Sequence, residues 1–346
     1  MTSGTTIRKA KAAAVSRRSF VKLSLTAGAA ASFGLSAPAI GQQARALKFG
    51  HMLPTDSVYH KALVLFGDEL AKVSSGKIKL EIFPSSQLGT IAEMMQSVQA
   101  GSLGMSMAVP AWYSNFIKPI DAFTLPYMVS SVDKLRPALE GKIGAEISKF
   151  GEGAGFKVIG YWLMGGRHIV NKVRPVNTPA DCQGLKIRVI NSQVYMQAFR
   201  ALGANPVAMD PSELYLALQQ GVVDGFEYPL PDLVSYKLYE VAKYLSLDQH
   251  TTDFFIISTS TKTWAGLSAE EQGMIAKAMK TAMEWQWKAQ PEEIANALAK
   301  LRTLMTVNDI APANKELFVK QTRPIYQQFE ASIGKDFLAL VMKELG

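Results

Sequence analysis

From Arg45 onward the chain alternates β-patterned segments with segments of helical period, and this alternation restricts it to the α/β class. Arg45–Gly50 (R-A-L-K-F-G) reads as a strand, and residues 77–83 (K-I-K-L-E-I-F) alternate with period two, as a second strand. Between them Leu63, Phe66, Leu70 and Val73 recur at helical spacing over residues 58–74, and Gly76 closes the segment. Ile91–Ala100 reads as another helix and residues 103–109 as a third strand. Parallel strands need a crossover long enough to hold a helix, so this order predicts a mostly parallel sheet with helices packed on it.

The pattern then recurs. Residues 132–150 are predicted helical and 156–162 form a strand. Thr178 starts a turn before Pro179, and residues 185–190 (L-K-I-R-V-I) form a strand. Helices follow over 193–202 and 212–220, the second with Ser212 as N-cap, and then a strand over 222–228. A second α/β unit therefore occupies about 165–250. Residues 254–259 are β-rich. Ser268 and Glu271 have the spacing of a capping box and open a helical tract to about Gln290, where Pro291 is expected to kink or break it, with helix continuing over 292–304. The C-terminal stretch 315–345 is helical with breaks at Pro324 and Gly334. A chain of 346 residues has room for two such units, each with its own core.

The net charge of +8 would suit a nucleic-acid partner, but its distribution does not. Residues 1–41 hold Arg8, Lys9, Lys11, Arg17, Arg18, Lys22 and no acid, so the rest of the chain carries only +2. That basic stretch precedes a mild apolar run, 23–35, and the small residues Ala37, Ala39 and Gly41. This is the layout of an export signal, and the adjacent arginines are twin-arginine-like. No later segment has 18 uninterrupted apolar residues, so a periplasmic protein without a membrane span is expected. Cys182 is the only cysteine, which excludes an internal disulfide and a cysteine-built metal site, and it reads as a small buried apolar residue.

Catalytic signatures are missing. His51, His60, His168 and His250 form no HxxxH or HExxH pair, and there is no GxSxG elbow or phosphate-binding GxxxxGK[ST] loop. Gly151-Glu152-Gly153-Ala154-Gly155 lacks the GxGxxG spacing and precedes a strand instead of following one, so it reads as a helix exit. Two arginines are better placed. Arg188 lies inside the apolar strand 185–190, where an unpaired charge is costly. Its planar fork suits a carboxylate, while a structural ion pair or a solvent-facing position beside Lys186 would explain it equally. Arg167 follows Gly165-Gly166, in what reads as a loop where backbone can approach a ligand. Trp112, Phe226 and Tyr228 stand near strand-end loops, and His51 opens the loop after the first strand. Ligands of α/β sheets bind at such ends, although core packing accounts for the aromatics as well.

Several segments resemble the DctP-type substrate-binding subunit of tripartite ATP-independent periplasmic (TRAP) transporters. They are Gly184-Leu185-Lys186-Ile187-Arg188-Val189, Leu202-Gly203-Ala204-Asn205-Pro206-Val207, residues 213–227 (E-L-Y-L-A-L-Q-Q-G-V-V-D-G-F-E), Phe83-Pro84-Ser85-Ser86-Gln87-Leu88-Gly89, and Leu125-Pro126-Tyr127. The resemblance implies a two-lobed periplasmic-binding-protein clamshell, joined by crossing hinge strands and a long hinge-spanning helix. Its lobes would be 42–164 with about 252–290, and 165–251 with about 291–346, after the signal 1–41. It also implies a monomer with no cofactor, no metal and no nucleic-acid partner. Such a protein captures a small carboxylate and passes it to the membrane permease subunits; a ligand sensor or an exported enzyme would share the clamshell. Arg188 matches the family's carboxylate-pairing arginine and Arg167 a second, assisting one. Where the family often has Asp-Gly-Gln-Glu-Asn-Pro, this chain has Asp224-Gly225-Phe226-Glu227-Tyr228-Pro229. The change puts aromatic rings beside Glu227 and points to a sugar acid or an aromatic or hydroxy acid.

Overall fold

The computed structural model describes residues 1–2 and 44–346; the expected export signal lies outside the described residues. Nine strands are found there: β1 (Arg45–Gly50), β2 (Ile78–Phe83), β3 (Met105–Ala108), β4 (Phe156–Asn171), β5 (Lys186–Val189), β6 (Asn205–Ala208), β7 (Gly225–Pro229), β8 (Tyr244–Ser260) and β9 (Thr306–Asp309). They run in the order β2-β1-β3-β8-β4-β7-β5-β6, with β9 added to β8. The β1–β2, β1–β3, β5–β6 and β5–β7 pairs are parallel, each with a helix in the intervening chain, as a parallel crossover requires. β4 and β8 are long, antiparallel to each other, and sit between the two parallel groups.

These two strands tie the halves together. Residues 256–259 of β8 pair with β3, whereas residues 244–247 pair with β9 at the other end. Residues 167–171 of β4 pair with β7. Both strands are longer than their sequence patterns indicate: β4 continues past Trp162 to Asn171, and β8 begins at Tyr244 instead of Phe254. Each is covered by different partners along its length, so no single period marks it. Arg167 is consequently inside β4 and not in a loop. The register slips between Leu163 and Gly165 and again between Arg167 and Ile169. Gly165 has φ +109°, and a Cβ there would lie 2.7 Å from Ile294 Cδ1, so this bend requires glycine.

The helices are mostly where the periodicity places them. The expected 132–150 helix is two helices, Val132–Glu140 and Lys142–Gly153, because Gly141 ends the first. The N-cap of the Pro211–Gln219 helix is Asp210, which accepts from the Ser212 amide, and not Ser212 itself. The capping box is formed: Glu271 N–H donates to Ser268 Oγ at 3.2 Å and Ser268 N–H to Glu271 Oε2 at 2.8 Å. The helix it starts, Ala269–Leu304, passes through Pro291 unbroken. Before the proline Gln286, Trp287 and Gln290 anchor it to β4; beyond, Ala297 and Leu301 are buried in the core around β7. That packing outweighs the roughly 3 kcal/mol that an interior proline costs. The C-terminal breaks fall at Pro324 and Gly334 as expected.

One apolar core runs from the β1–β3 half through the crossing strands to Ile187, Val189 and Phe199, and a second surrounds Phe226, Leu214 and Leu233. The β5–β7 group is therefore packed on both faces. Cys182 is buried, and burial pushes its thiol up to about 12. No described helix is long and apolar enough to cross a membrane.

Candidate ligand-binding site

The carboxyl ends of the parallel strands converge from both halves onto the middle of β4 and β8. β1 runs into His51, β3 into the short Pro110–Tyr113 helix with Trp112, β5 into Ser192, and β7 into the Leu230–Ser235 helix with Asp232. Arg167 stands opposite Pro229 of β7 on one edge of β4 and opposite Thr251 of β8 on the other. Of the expected site residues, Arg167, Arg188, Glu227 and Tyr228 are brought together here. Phe226 is edge-on to Tyr228, with ring centroids 5.9 Å apart, and fully buried in the second core. Trp112 and His51 are also buried, with no contact to the arginines; His51 Nε2 meets His60 Nδ1 at 3.1 Å, and its Nδ1 accepts from Leu53 N–H. Burial, then the neighbouring His60, lowers His51 to about 3.

Arg167 is occupied by the protein. Its Nε and Nη2 both donate to the Glu227 carboxylate, the second at 3.0 Å, and Nη2 also reaches the Glu227 carbonyl at 3.2 Å. Its Nη1 donates to Asp253 Oδ2 at 3.4 Å. Burial opposes the Arg167 charge, but Glu227, Tyr195 and Asp253 outweigh it and hold the guanidinium well above its usual value. Burial likewise opposes the Glu227 carboxylate, yet Arg167 and His250 hold it down to about 2. His250 donates from Nδ1 to Asp248 at 2.8 Å and stands 3.6 Å from Glu227 through Nε2, within reach of its charge. Against the effect of burial, these two acids raise His250 to about 9.

Arg188 is different. It is 0% exposed, on the face of β5 opposite Ile187 and Val189. Its Nε and Nη2 donate to the Met209 carbonyl at 2.9 and 2.7 Å. Nη1 is buried with no hydrogen-bond partner and is 3.8 Å from Glu227 Oε1. Lys186, two residues earlier on the same face, is exposed. The Tyr228 ring lies against both guanidiniums, 5.5 Å from Arg167 Cζ and 5.9 Å from Arg188 Cζ. The arrangement holds a buried cation with one free donor and an aromatic wall: a seat for an anionic group with a flat or apolar face.

A family model for the bacterial extracellular solute-binding proteins, family 7 (DctP), matches residues 49–332. The chain belongs to this family. Among its DctP relatives, the 2,3-diketo-L-gulonate-binding periplasmic protein YiaO of Escherichia coli is 32% identical over 72% of this chain and 76% of its own. The sialic acid-binding periplasmic protein SiaP of Vibrio cholerae is 31% identical over 88% of this chain and 94% of its own. The crystal structure of the sugar acid binding protein DctPAm of Advenella mimigardefordensis, in complex with galactonate, superposes with a TM-score of 0.85 at 29% identity, covering 87% of this chain and 98% of that one. A TRAP periplasmic solute binding protein of Polaromonas bound to D-erythronate gives 0.83 at 30% identity, covering 87% and 99%. The expected fold and family are thus borne out: this is a two-lobed α/β protein of the DctP type, the solute-binding subunit class of TRAP transporters, and the family is one of binding proteins.

Sequence reading missed four members of this buried polar cluster. Asp253 lies between Thr252 and Phe254 in β8, a charge inside an apolar strand, the same signal that singled out Arg188; placing the strand start at Phe254 hid it. His250 and Tyr195 carry no local mark, because only the crossing of β8 and the packing of the Gln193–Ala201 helix bring them to Arg167. Asp232 follows Pro229-Leu230-Pro231 and reads as turn chemistry, yet its side chain is fully buried.

Proposed function

We propose that this protein captures a small organic acid in the periplasm and delivers it to the membrane subunits of a TRAP transporter, with Arg188 as the carboxylate anchor. What supports the reading is the buried Arg188 Nη1, a cationic donor with no hydrogen-bond partner in the protein. Arg167 acts through Glu227: with its donors turned to that carboxylate and to Asp253, it holds the acid away from Arg188 and supports the Tyr228 ring. Residues 42–164 with about 252–290 form one lobe and 165–251 with about 291–324 the other, hinged on β4 and β8; residues 325–346, expected in the second lobe, go with the first, because Phe337 is edge-on to Phe123 and Phe150 and Ser130 Oγ donates to the Leu345 carbonyl. The protein works as a monomer without cofactor, catalysis or nucleic-acid partner, after removal of the signal over residues 1–41. Sugar and hydroxy acids are the ligands to screen, since galactonate and D-erythronate are bound by the two structural relatives above.

Calorimetry with the tightest acid of such a screen tests this. Arg188→Lys keeps the charge and loses the fork, so binding weakens. Arg188→Ala leaves the ligand carboxylate without its buried partner and costs on the order of 2–5 kcal/mol, or roughly 30- to 5000-fold in affinity. An Arg188→Ala protein that binds like wild type places the anchor elsewhere; one that fails to fold makes Arg188 a structural residue.

A further inference from the structure

Asp232 is a second buried charged group at this site without a partner. It sits in the Leu230–Ser235 helix, immediately beyond the carboxyl end of β7, the position at which open α/β sheets bind their ligands. Both carboxylate oxygens are buried and neither accepts a hydrogen bond. Its charge is felt by Tyr59, by Tyr228 and by Tyr236, so it lies on the seam between the β1–β3 half and the β5–β7 half. A buried acid left this way is pushed up, here to about 7, by burial working against the attraction of Arg167.

The polar atoms of the site can be sorted by what they still lack. Two cationic N–H groups lack a hydrogen-bond partner, Arg188 Nη1 and His250 Nε2, which stand 3.8 and 3.6 Å from Glu227. The others are occupied, Arg167 by Glu227 and Asp253 and His250 Nδ1 by Asp248. The remaining vacancies are an acceptor pair on Asp232 and the hydroxyls of Ser192 and Tyr195. Two free N–H donors are satisfied by the two oxygens of one carboxylate. An acceptor-only carboxylate calls for hydroxyl donors and repels a second carboxylate.

Building on the carboxylate-capture reading above, we propose that Asp232 accepts hydrogen bonds from ligand hydroxyls, so that the cleft takes a polyhydroxylated acid with a single carboxylate and excludes dicarboxylates. The relevant comparison is between acids of matched size and differing ends. Titration calorimetry at pH 8 uses D-galactonate and D-erythronate against galactarate, which carries a carboxylate at both ends, succinate, and hydroxyl-free hexanoate. The hydroxylated monocarboxylates are expected to bind at least roughly tenfold tighter than galactarate, succinate or hexanoate. Asp232→Asn keeps the size and removes the charge, and should narrow the galactonate-to-galactarate ratio by roughly tenfold. Succinate or galactarate binding wild type as tightly as galactonate overturns the role of Asp232 while leaving carboxylate capture by Arg188 intact, as does a ratio unchanged in a folded Asp232→Asn protein. If that variant does not fold, the wild-type ranking alone decides. Absence of binding by all five acids overturns both this assignment and the organic-acid reading beneath it.

Discussion

Arg167 and Arg188 differ in how many of their N–H groups the protein itself occupies, and that difference separates a supporting residue from an anchor. The same reasoning applies to the acids. Glu227, gripped by two Arg167 donors, is held near 2, whereas burial raises Asp232, which has no hydrogen-bond partner, to about 7, and raises Asp253, with its single long Arg167 contact, equally. Linkage turns this into a stability difference. An acid whose folded value is raised keeps its proton longer in the native state, so Asp232 costs nothing below its ordinary 3.8 and an increasing amount up to about 7, at most roughly 4 kcal/mol. Asp232→Asn should therefore be more stable than wild type above pH 7, with the gain fading as pH falls toward 4; thermal melts at pH 4.5, 7 and 9 measure it. A constant offset between the two proteins would rule out a buried, titrating Asp232. His250 has the opposite meaning. Its stabilisation is complete below its ordinary 6.5 and is lost as pH rises through about 9, so both proteins should lose stability between pH 7 and 9. His51 and His168, held neutral at about 3 and 4 by burial, act only below pH 6.5 and leave that window clear.

At the scale of elements, the long Ala269–Leu304 helix stands in for a strand. β7 pairs with β4 only from Arg167 onward, so residues 161–164 present an edge that no strand covers. Gln286 accepts from Leu163 N–H at 2.9 Å and donates to the Leu163 carbonyl at 2.7 Å. Trp287 donates to the Tyr161 carbonyl at 2.9 Å, and Gln290 to the Met164 carbonyl at 2.7 Å and to Tyr59 Oη at 2.8 Å. These side chains satisfy buried backbone groups beside the register slip at Gly165, where the two halves join. Gln286→Leu removes both bonds to Leu163 at nearly constant volume. It should cost roughly 2–6 kcal/mol, from two orphaned backbone groups at about 1–3 each, read as a lower denaturant midpoint with an unchanged slope. A loss below about 0.5 kcal/mol would mean that water replaces the amide. Gln286, Trp287 and Gln290 could not be told from a solvated helix face by period alone, since amides and indoles are common on both.

For the whole molecule, the hydrogen bonds that join the β1–β3 half to the β5–β7 half include three made by side chains across the seam. Tyr236 Oη donates to the Met52 carbonyl at 2.7 Å, Asn115 Nδ2 to the Asn191 carbonyl at 3.4 Å, and Ile91 N–H to Asp210 Oδ2 at 3.3 Å. The last is adjacent to Met209, whose carbonyl holds Arg188, so the anchor and the lobe contact share one loop. This is a closed arrangement, held in part by these contacts across the seam. A ligand can favour it only through contacts that the open form lacks, and Arg188 Nη1 and Asp232 are the groups that would supply them. Small-angle scattering should give a smaller radius of gyration with a saturating sugar acid than without it, and Arg188→Ala should abolish the change. Identical profiles at saturation would place the unliganded protein already in the closed form.

By itself the sequence determined the α/β class, the order of most elements, the capping box at Ser268, the C-terminal breaks and the choice of Arg188, because each rests on local period, turn chemistry or a charge in an apolar strand. The family's motifs brought in Arg167 and the clamshell. Only the tertiary structure decided that β4 and β8 run on as crossing strands, that Pro291 does not end its helix, that Arg167 is spent on Glu227 and Asp253, and that Asp232 is buried without a partner. Those outcomes depend on which edges and faces are covered by residues up to 231 positions away, as Gln290 is from Tyr59. Burial and pairing are relations between distant segments, and no window along the chain contains both partners.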